Sequence, residues 1–218
     1  MGTSILTTIH IEPSSRCTIA CPQCPRTEYI DRMHTQDCDI AAMVAACRGF
    51  DDVLMCGNHG DPIYHRDFHG LIKALKHEHA DRSIRIITNG AFRGQQWWET
   101  TADLLRHDRD SISFSIDGLP YNNHLYRVNS DWPSIELGIK TLRRVNPTLR
   151  LVWKWIAFQY NQDDAAAAIT LARELGMNRF TLVSSVRYEP DHWLTPTKSF
   201  SEIKRKAVEW YQSHPVAS

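Results

Sequence analysis

Asp52-Val53-Leu54-Met55-Cys56-Gly57, then Phe68-His69-Gly70-Leu71-Ile72-Lys73-Ala74-Leu75-Lys76-His77-Glu78-His79, then Ile84-Arg85-Ile86-Ile87-Thr88-Asn89-Gly90 follow one another along the chain. The first is an apolar run ended by glycine. The second places Phe68, Leu71, Ile72 and Leu75 on one helical face, and the third is a β-rich run stopped by Asn-Gly. Strand, helix and strand in that order read as a βαβ unit, whose right-handed crossover returns the chain to a parallel neighbour.

The pattern extends both ways. Thr7 to Glu12 is β-rich and ends at Pro13, and Asp39 to Cys47 reads as a helix with Asp37 or Asp39 near its cap. Downstream, Trp97 to Arg106 and Trp132 to Val145 are helical, Ser111 to Ile116 alternates as a strand into Asp117-Gly118, and Leu149 to Phe158 is a strand. Asp163 to Leu175 is an alanine-rich helix closed by Gly176, Arg179 to Val183 is a sixth strand, and Phe200 to Tyr211 is a last helix. Six such units are too few for an eight-unit barrel, so the sheet is an open partial barrel or a doubly wound layer. In either, chemistry gathers at the C-terminal ends of the strands.

Length, 218 residues, fits a single domain over 1–218, with a core over about 5–190 and a C-terminal helix over about 198–213. With 42% hydrophobic and 23% charged residues the chain is an ordinary globular one, which argues against disorder or a disulfide-dense miniature. Lys plus Arg and Asp plus Glu are 25 each, so no net field draws the chain to nucleic acid or anionic membrane. No apolar run approaches the roughly 18–20 residues of a membrane span, and Met1 to Leu6 has no cationic leader. A cytoplasmic location is expected.

All 6 cysteines (17, 21, 24, 38, 47, 56) fall early in the chain, which in a reducing compartment points to metal rather than disulfides. Cys17, Cys21 and Cys24 have the spacing C-x3-C-x2-C in the loop after the first strand. Soft thiolates select iron–sulfur clusters or zinc, and a four-iron cluster held by three of them keeps one iron open. A structural zinc site completed by Cys38, His34 or His10 is the competing reading, but zinc sites usually show two paired ligand groups and here there is one triplet. Cys38, Cys47 and Cys56 are expected to pack in the core.

These residues carry a resemblance. Cys17-x3-Cys21-x2-Cys24 after the first strand of a six-unit parallel α/β chain resembles the radical S-adenosylmethionine superfamily, in motif style its peptide- and protein-modifying SPASM/Twitch-related branch. The resemblance implies a partial (β/α)6 barrel with helices outside, one 4Fe-4S cluster on the three cysteines, and S-adenosylmethionine chelated by the fourth iron. It further implies reductive cleavage to a 5′-deoxyadenosyl radical, an electron donor such as flavodoxin or ferredoxin, and a peptide, protein or small-molecule substrate. With no cysteine after Cys56 and a short stretch beyond the sixth strand, auxiliary clusters are not expected.

On the same resemblance, Gly57-Asn58-His59-Gly60-Asp61-Pro62 matches the glycine-rich turn after strand two, with Asp61 where Glu is commoner. Glycines let backbone approach a ligand, and the Asp61 carboxylate would accept a hydrogen bond from the cofactor's ammonium group. Asn89 ends strand three, and Ser113, Ser115 and Asp117 share one face of strand four by alternation, as candidate cofactor contacts. Lys154, on the face of strand five opposite Trp153 and Trp155, is a candidate for the ribose or carboxylate, Asn161 for adenosine and Val183 for adenine. Each has an ordinary reading as well: a turn, a solvated face, a snorkelling lysine.

His65, His69, His77 and His79 read as a solvated helical face, and Arg16, Arg26 and Arg66 as surface charge or as partners for an anionic cluster. Trp193, Phe200, Trp210 and Tyr211 read chiefly as core packing of the last helix, with contact to a large substrate or partner as the other use. Within enzymes, an activase that places a glycyl radical on a partner protein is an alternative. From another class, so is a non-catalytic iron–sulfur or zinc protein that transfers electrons or binds partners.

Overall fold

The computed structural model describes residues 7–28, 36–184 and 192–213. Six strands, β1 (Thr8–Ile11), β2 (Asp52–Met55), β3 (Ser83–Thr88), β4 (Ser111–Ser115), β5 (Arg150–Ala157) and β6 (Arg179–Ser184), alternate with helices α1 (Pro25–Glu28), α2 (Ile40–Ala46), α3 (Phe68–Glu78), α4 (Gln95–Leu104), α5 (Trp132–Val145), α6 (Ala165–Glu174) and α7 (Phe200–Ser213). All neighbours are parallel and the sheet order is β1-β2-β3-β4-β5-β6. A doubly wound layer would reverse its strand order at a switch point. This order never reverses, so the sheet is an open partial (β/α)6 barrel.

Local chemistry sets the element boundaries. Asp39, Asp67 and Asp131 cap α2, α3 and α5 by accepting from the N–H groups of Ala42 (2.9 Å), Gly70 (3.0 Å) and Ser134 (3.0 Å). Asp37, the other candidate cap for α2, instead holds Arg16 at 3.2 Å and Ser14 at 2.6 Å. Arg66 reaches the same carboxylate, and Arg26 donates to the Ile19 carbonyl, so two of the three arginines flanking the cluster loop are tied down by Asp37.

Along β5 the burial alternates: Leu151, Trp153, Trp155 and Ala157 are fully buried, and Val152, Lys154 and Ile156 are only half so. The buried set packs outward under the helices, where Phe180 lies 5.8 Å from each of Trp153 and Trp155. The other set lines the concave face. The base of that face is closed by Asp52, which accepts from Thr8 (3.0 Å), Ser83 and Arg85 (3.1 Å).

Four histidines expected on a solvated helical face do not all stay there. His65 is buried, with Nε2 2.9 Å from the Cys38 carbonyl, and the His69 ring packs tilted against Trp97, centroids 4.8 Å apart, with Nε2 2.9 Å from Thr101 Oγ1. Helix periodicity does not reveal an aromatic partner on the next helix. Cys47 is a core residue, but Cys38 is exposed and Cys56 is half-buried. Trp193 is exposed rather than packed, whereas Phe200 packs between α6 and α7. His34 and the side chains of Trp210 and Tyr211 lie outside the described residues. Among the described residues no helix is long and apolar enough to cross a membrane.

Candidate active site

Cys17, Cys21 and Cys24 lie on the loop from β1 to α1. The loop turns tightly where the Cys24 N–H donates to the Cys21 carbonyl (3.2 Å), with Gln23 at a left-handed φ of 54°, and Ala20 N–H ties it to the Val128 carbonyl (2.9 Å). All three thiols line one recess of about 80 Å³ with Asp61, Asn89, Ser115 and Arg127. Cys21, Cys24, Ser115 and Arg127 continue into an adjoining cavity of about 300 Å³, whose far wall is Lys154, Ile156 and Val183. A larger groove of about 600 Å³, between α6, β6 and α7, holds none of the expected site residues.

Burial, and secondarily the Asp61 carboxylate, push the Cys17 thiol up to about 12. Burial also raises Cys21, against the opposing charge of Arg127. As free thiols these groups stay protonated, and a bound cation is what would make them thiolates. A single zinc ion, at about 2.3 Å from each sulfur, would hold three sulfurs about 3.8 Å apart. Among the described residues, the one set of three ligand atoms within 4.8 Å of one another lies elsewhere and contains none of these cysteines. Three soft donors spread around one recess therefore fit a polynuclear iron–sulfur group better than a lone ion.

Gly57 and Gly60 line the recess, and the same turn also admits close backbone contacts. A Cβ on Gly60 would stand 2.1 Å from the Ser14 carbonyl oxygen, and one on Gly57 would stand 1.9 Å from the Gly60 carbonyl oxygen. The turn is pressed against the stem of the cysteine loop, and the Asp61 N–H donates to the Arg16 carbonyl at 2.8 Å. Asn58 and the His59 N–H are held by the Glu12 carboxylate, at 2.6 and 3.1 Å. Pro62 starts a short 3-10 turn over Pro62–Tyr64, whose Ile63 N–H donates to Asp61.

Asp61 is only 4% exposed, and burial pushes it up to about 6. Its Oδ2 accepts from Thr88 Oγ1 (3.0 Å), the Asn89 N–H (2.7 Å) and Asn89 Nδ2 (2.6 Å). Asn89 Nδ2 also lies 3.5 Å from the Cys17 sulfur. Asp61 thus meets the recess with its protein partners already in place, and a ligand ammonium would join them rather than replace them.

On the concave face, the register aligns Ile87 with Ser113 and Val152, Ser115 with Lys154, and Ile156 with Val183. Ser115, Lys154 and Val183 line the cavity, and half-buried Ser113 lies one step below it. Asp117 and Asn161 lie just beyond the ends of β4 and β5 but are fully buried, closed off from the cavity. The reason is that β4 ends at Ser115, so the alternation no longer governs Asp117. The Asp117 carboxylate accepts from Ile156 N–H (2.7 Å), and Asn161 Nδ2 donates to the carbonyls of Ile156 (2.9 Å) and Asp117 (2.7 Å). Together they fix the backbone of a cavity-lining residue.

Two residues join the site without being expected there. Arg127 forms an ion pair with Asp117 at 2.6 Å and reaches to 3.6 Å from the Cys21 sulfur. Burial alone would lower it, but Asp117 and Cys21 raise it, so it stays charged. Cys56 lines the cavity rather than the core, because it follows the inward side of β2 that Leu54 begins while Val53 and Met55 face outward. The alternation of Val53, Leu54, Met55 and Cys56 carries that signal.

No family model and no curated protein matches this chain. Solved structures do. SuiB from Streptococcus suis, bound to S-adenosylmethionine, aligns at a TM-score of 0.71 with 13% identity over 96% of this chain and 48% of its own. Histidine-tagged anSMEcpe with bound AdoMet aligns at 0.76 with 13% identity, over 96% of this chain and 59% of that one. TYW1 with a lysine-pyruvate adduct bound aligns at 0.65 with 14% identity, over 93% and 73%. This chain spans about half the length of SuiB and about three-fifths of anSMEcpe. These neighbours are radical S-adenosylmethionine enzymes, and this chain has their fold.

Proposed function

We propose that this chain is a radical S-adenosylmethionine enzyme of the peptide- or protein-modifying kind, with Cys17, Cys21 and Cys24 as the ligands of one 4Fe-4S cluster. The observation that supports this most is the convergence of three thiols on one recess that opens into a cavity at the C-terminal ends of the strands. Held by these three cysteines, such a cluster would supply one-electron reduction of bound S-adenosylmethionine, and with it hydrogen-atom abstraction from a substrate carbon.

The chain's own residues bind, orient and exclude water. Asn89 and Arg127, donating toward Cys17 and Cys21, stabilise sulfur charge as such contacts do at metal sites. Lys154 offers a cation for the cofactor's carboxylate, and Ser115 a hydroxyl on the neighbouring strand. Gly57, Asn58 and Gly60 present backbone at the mouth of the recess, with Asp61, Pro62 and Asn89 bracing it. Ile87, Ile156 and Val183 form an apolar wall that keeps water from a reactive intermediate, while Ser113, Asp117 and Asn161 act behind that wall.

A peptide or protein substrate is supported by two neighbours, SuiB bound to precursor peptide SuiA and anSMEcpe with bound AdoMet and the Kp18Cys peptide. Flavodoxin or ferredoxin is the expected electron donor. The test is anaerobic reconstitution with iron and sulfide, reduction, and addition of S-adenosylmethionine. Formation of 5′-deoxyadenosine is the expected result, and a fully loaded, reduced protein that gives none above background would overturn the proposal.

A further inference from the structure

His10, Glu12 and Cys56 form a second cluster of ligand-type side chains, independent of the three cysteines. Alternation puts His10 and Glu12 on the same face at the end of β1. The register pairs Ile11 with Met55, and the Cys56 N–H donates to the Ile11 carbonyl at 3.2 Å, so Cys56 arrives beside them from β2. His10 Nε2 touches Cys56 Sγ, and one ligand atom from each of the three residues lies within 4.8 Å of the others. The Glu12 carboxylate is oriented by Asn58 Nδ2 and the His59 N–H. Among the described residues it forms no ion pair.

We infer that His10, Glu12 and Cys56 bind one divalent metal ion of the zinc type. One nitrogen, one oxygen and one sulfur donor suit a borderline-soft ion and not magnesium or calcium, which take oxygen. Glu12 and the Cys56 thiolate balance the two positive charges, and the thiol proton passes to solvent as the metal–sulfur bond forms. The hydrogen bonds that fix Glu12 are the outer-shell support a ligating carboxylate needs.

Three protein ligands leave one coordination position open, the arrangement of catalytic rather than structural zinc. Cys56 lines the cavity that also holds Lys154 and Val183, so that position is available to water or to a donor atom of a bound molecule. The metal site does not depend on the radical reading; only the identity of what meets the open position does.

Two preparations separate the outcomes. In the cluster-loaded protein, metal analysis after zinc addition and desalting should find one zinc per chain beyond the iron. His10→Ala and Cys56→Ser should each lose that zinc and keep the iron. In a Cys17→Ala/Cys21→Ala/Cys24→Ala variant, cobalt(II) should bind with a sulfur-to-cobalt charge-transfer band that zinc displaces. Asn58→Ala, which frees Glu12, should weaken cobalt by about tenfold. If wild-type protein takes up no iron but the triple variant binds cobalt, the radical reading fails and this one stands. Absence of stoichiometric zinc and cobalt in both preparations, or binding unaffected by Cys56→Ser, overturns it.

Discussion

Asp61 Oδ2 accepts two hydrogen bonds from the same residue, the backbone N–H of Asn89 at 2.7 Å and its side-chain amide at 2.6 Å. This double contact joins the glycine turn after β2 to the end of β3, and passes on to Cys17 through Asn89. Asp61→Asn puts an amide donor among three donors, Thr88 Oγ1, the Asn89 N–H and Asn89 Nδ2, that now share one carboxylate oxygen. It should destabilise the fold by about 1–3 kcal/mol in urea unfolding and slow cluster loading. An unchanged urea midpoint would show that the bracket contributes nothing.

Gly60 and Gly94 make a matched pair. Gly60→Ala drives a Cβ to 2.1 Å from the Ser14 carbonyl, a backbone atom that cannot swing away, whereas a Cβ at Gly94 meets nothing within 4 Å. The Gly60 variant should fail to hold iron after reconstitution even where it remains folded by circular dichroism. Gly94→Ala, at the start of α4 with φ of −80°, should stay within about 1 kcal/mol of wild type. Normal iron content in Gly60→Ala would show that the cysteine loop does not need the close approach.

Replacing Cys17, Cys21 or Cys24 singly with Ala should abolish the cluster absorption and 5′-deoxyadenosine formation together. Cys38→Ala, Cys47→Ala and Cys56→Ser should retain both the iron and its spectrum. Cys47→Ala alone should lower stability, by about 1 kcal/mol, since it empties a fully buried position. Loss of iron in Cys38→Ala would favour a closed four-cysteine site instead.

The fold and the cysteine loop were legible because both depend on local pattern: strand alternation, strand-ending Asn-Gly and Asp-Gly, and a tight thiol spacing. The roles of single residues at strand ends were less so, because they depend on where each strand stops. Asp117 shares the parity of Ser113 and Ser115 in sequence, yet beyond the last β4 pairing it turns to the Ile156 N–H. Arg127 carries no local signal at all. Its importance comes from a carboxylate ten residues earlier and a sulfur from another loop.

Asp52 and Asp61 predict opposite pH dependence in the metal-free protein. Burial would raise Asp52, but the bonds from Ser83, Arg85 and Thr8 outweigh it and hold the carboxyl low. Its stabilisation is present above the unfolded value of about 3.9 and is lost as pH falls through the lower folded value. Asp61, raised by burial to about 6, has the reverse sign: its contribution falls as pH rises from about 4 to about 6. Urea unfolding against pH should therefore show a loss below about 4 that Asp52→Asn removes. It should also show a decline between about pH 4 and about 6 that Asp61→Asn removes, and identical profiles for either variant and wild type would refute the assignment.

The buried pair of Arg127 and Asp117 separates structural from functional work at the site. Arg127→Met leaves the Asp117 carboxylate buried and unpaired, a loss of about 3–5 kcal/mol for a broken internal ion pair. Adding Asp117→Asn removes the stranded charge and should restore much of that stability. It cannot restore the donor that stands 3.6 Å from the Cys21 sulfur. Hydrogen bonds and positive charge near cluster sulfurs favour the reduced, more negative state, so the double variant should load iron but be reduced only at a more negative potential than wild type. Redox titration of the loaded proteins reads this directly. A potential equal to wild type in the stable double variant would confine Arg127 to holding Asp117, with no part in tuning the cluster.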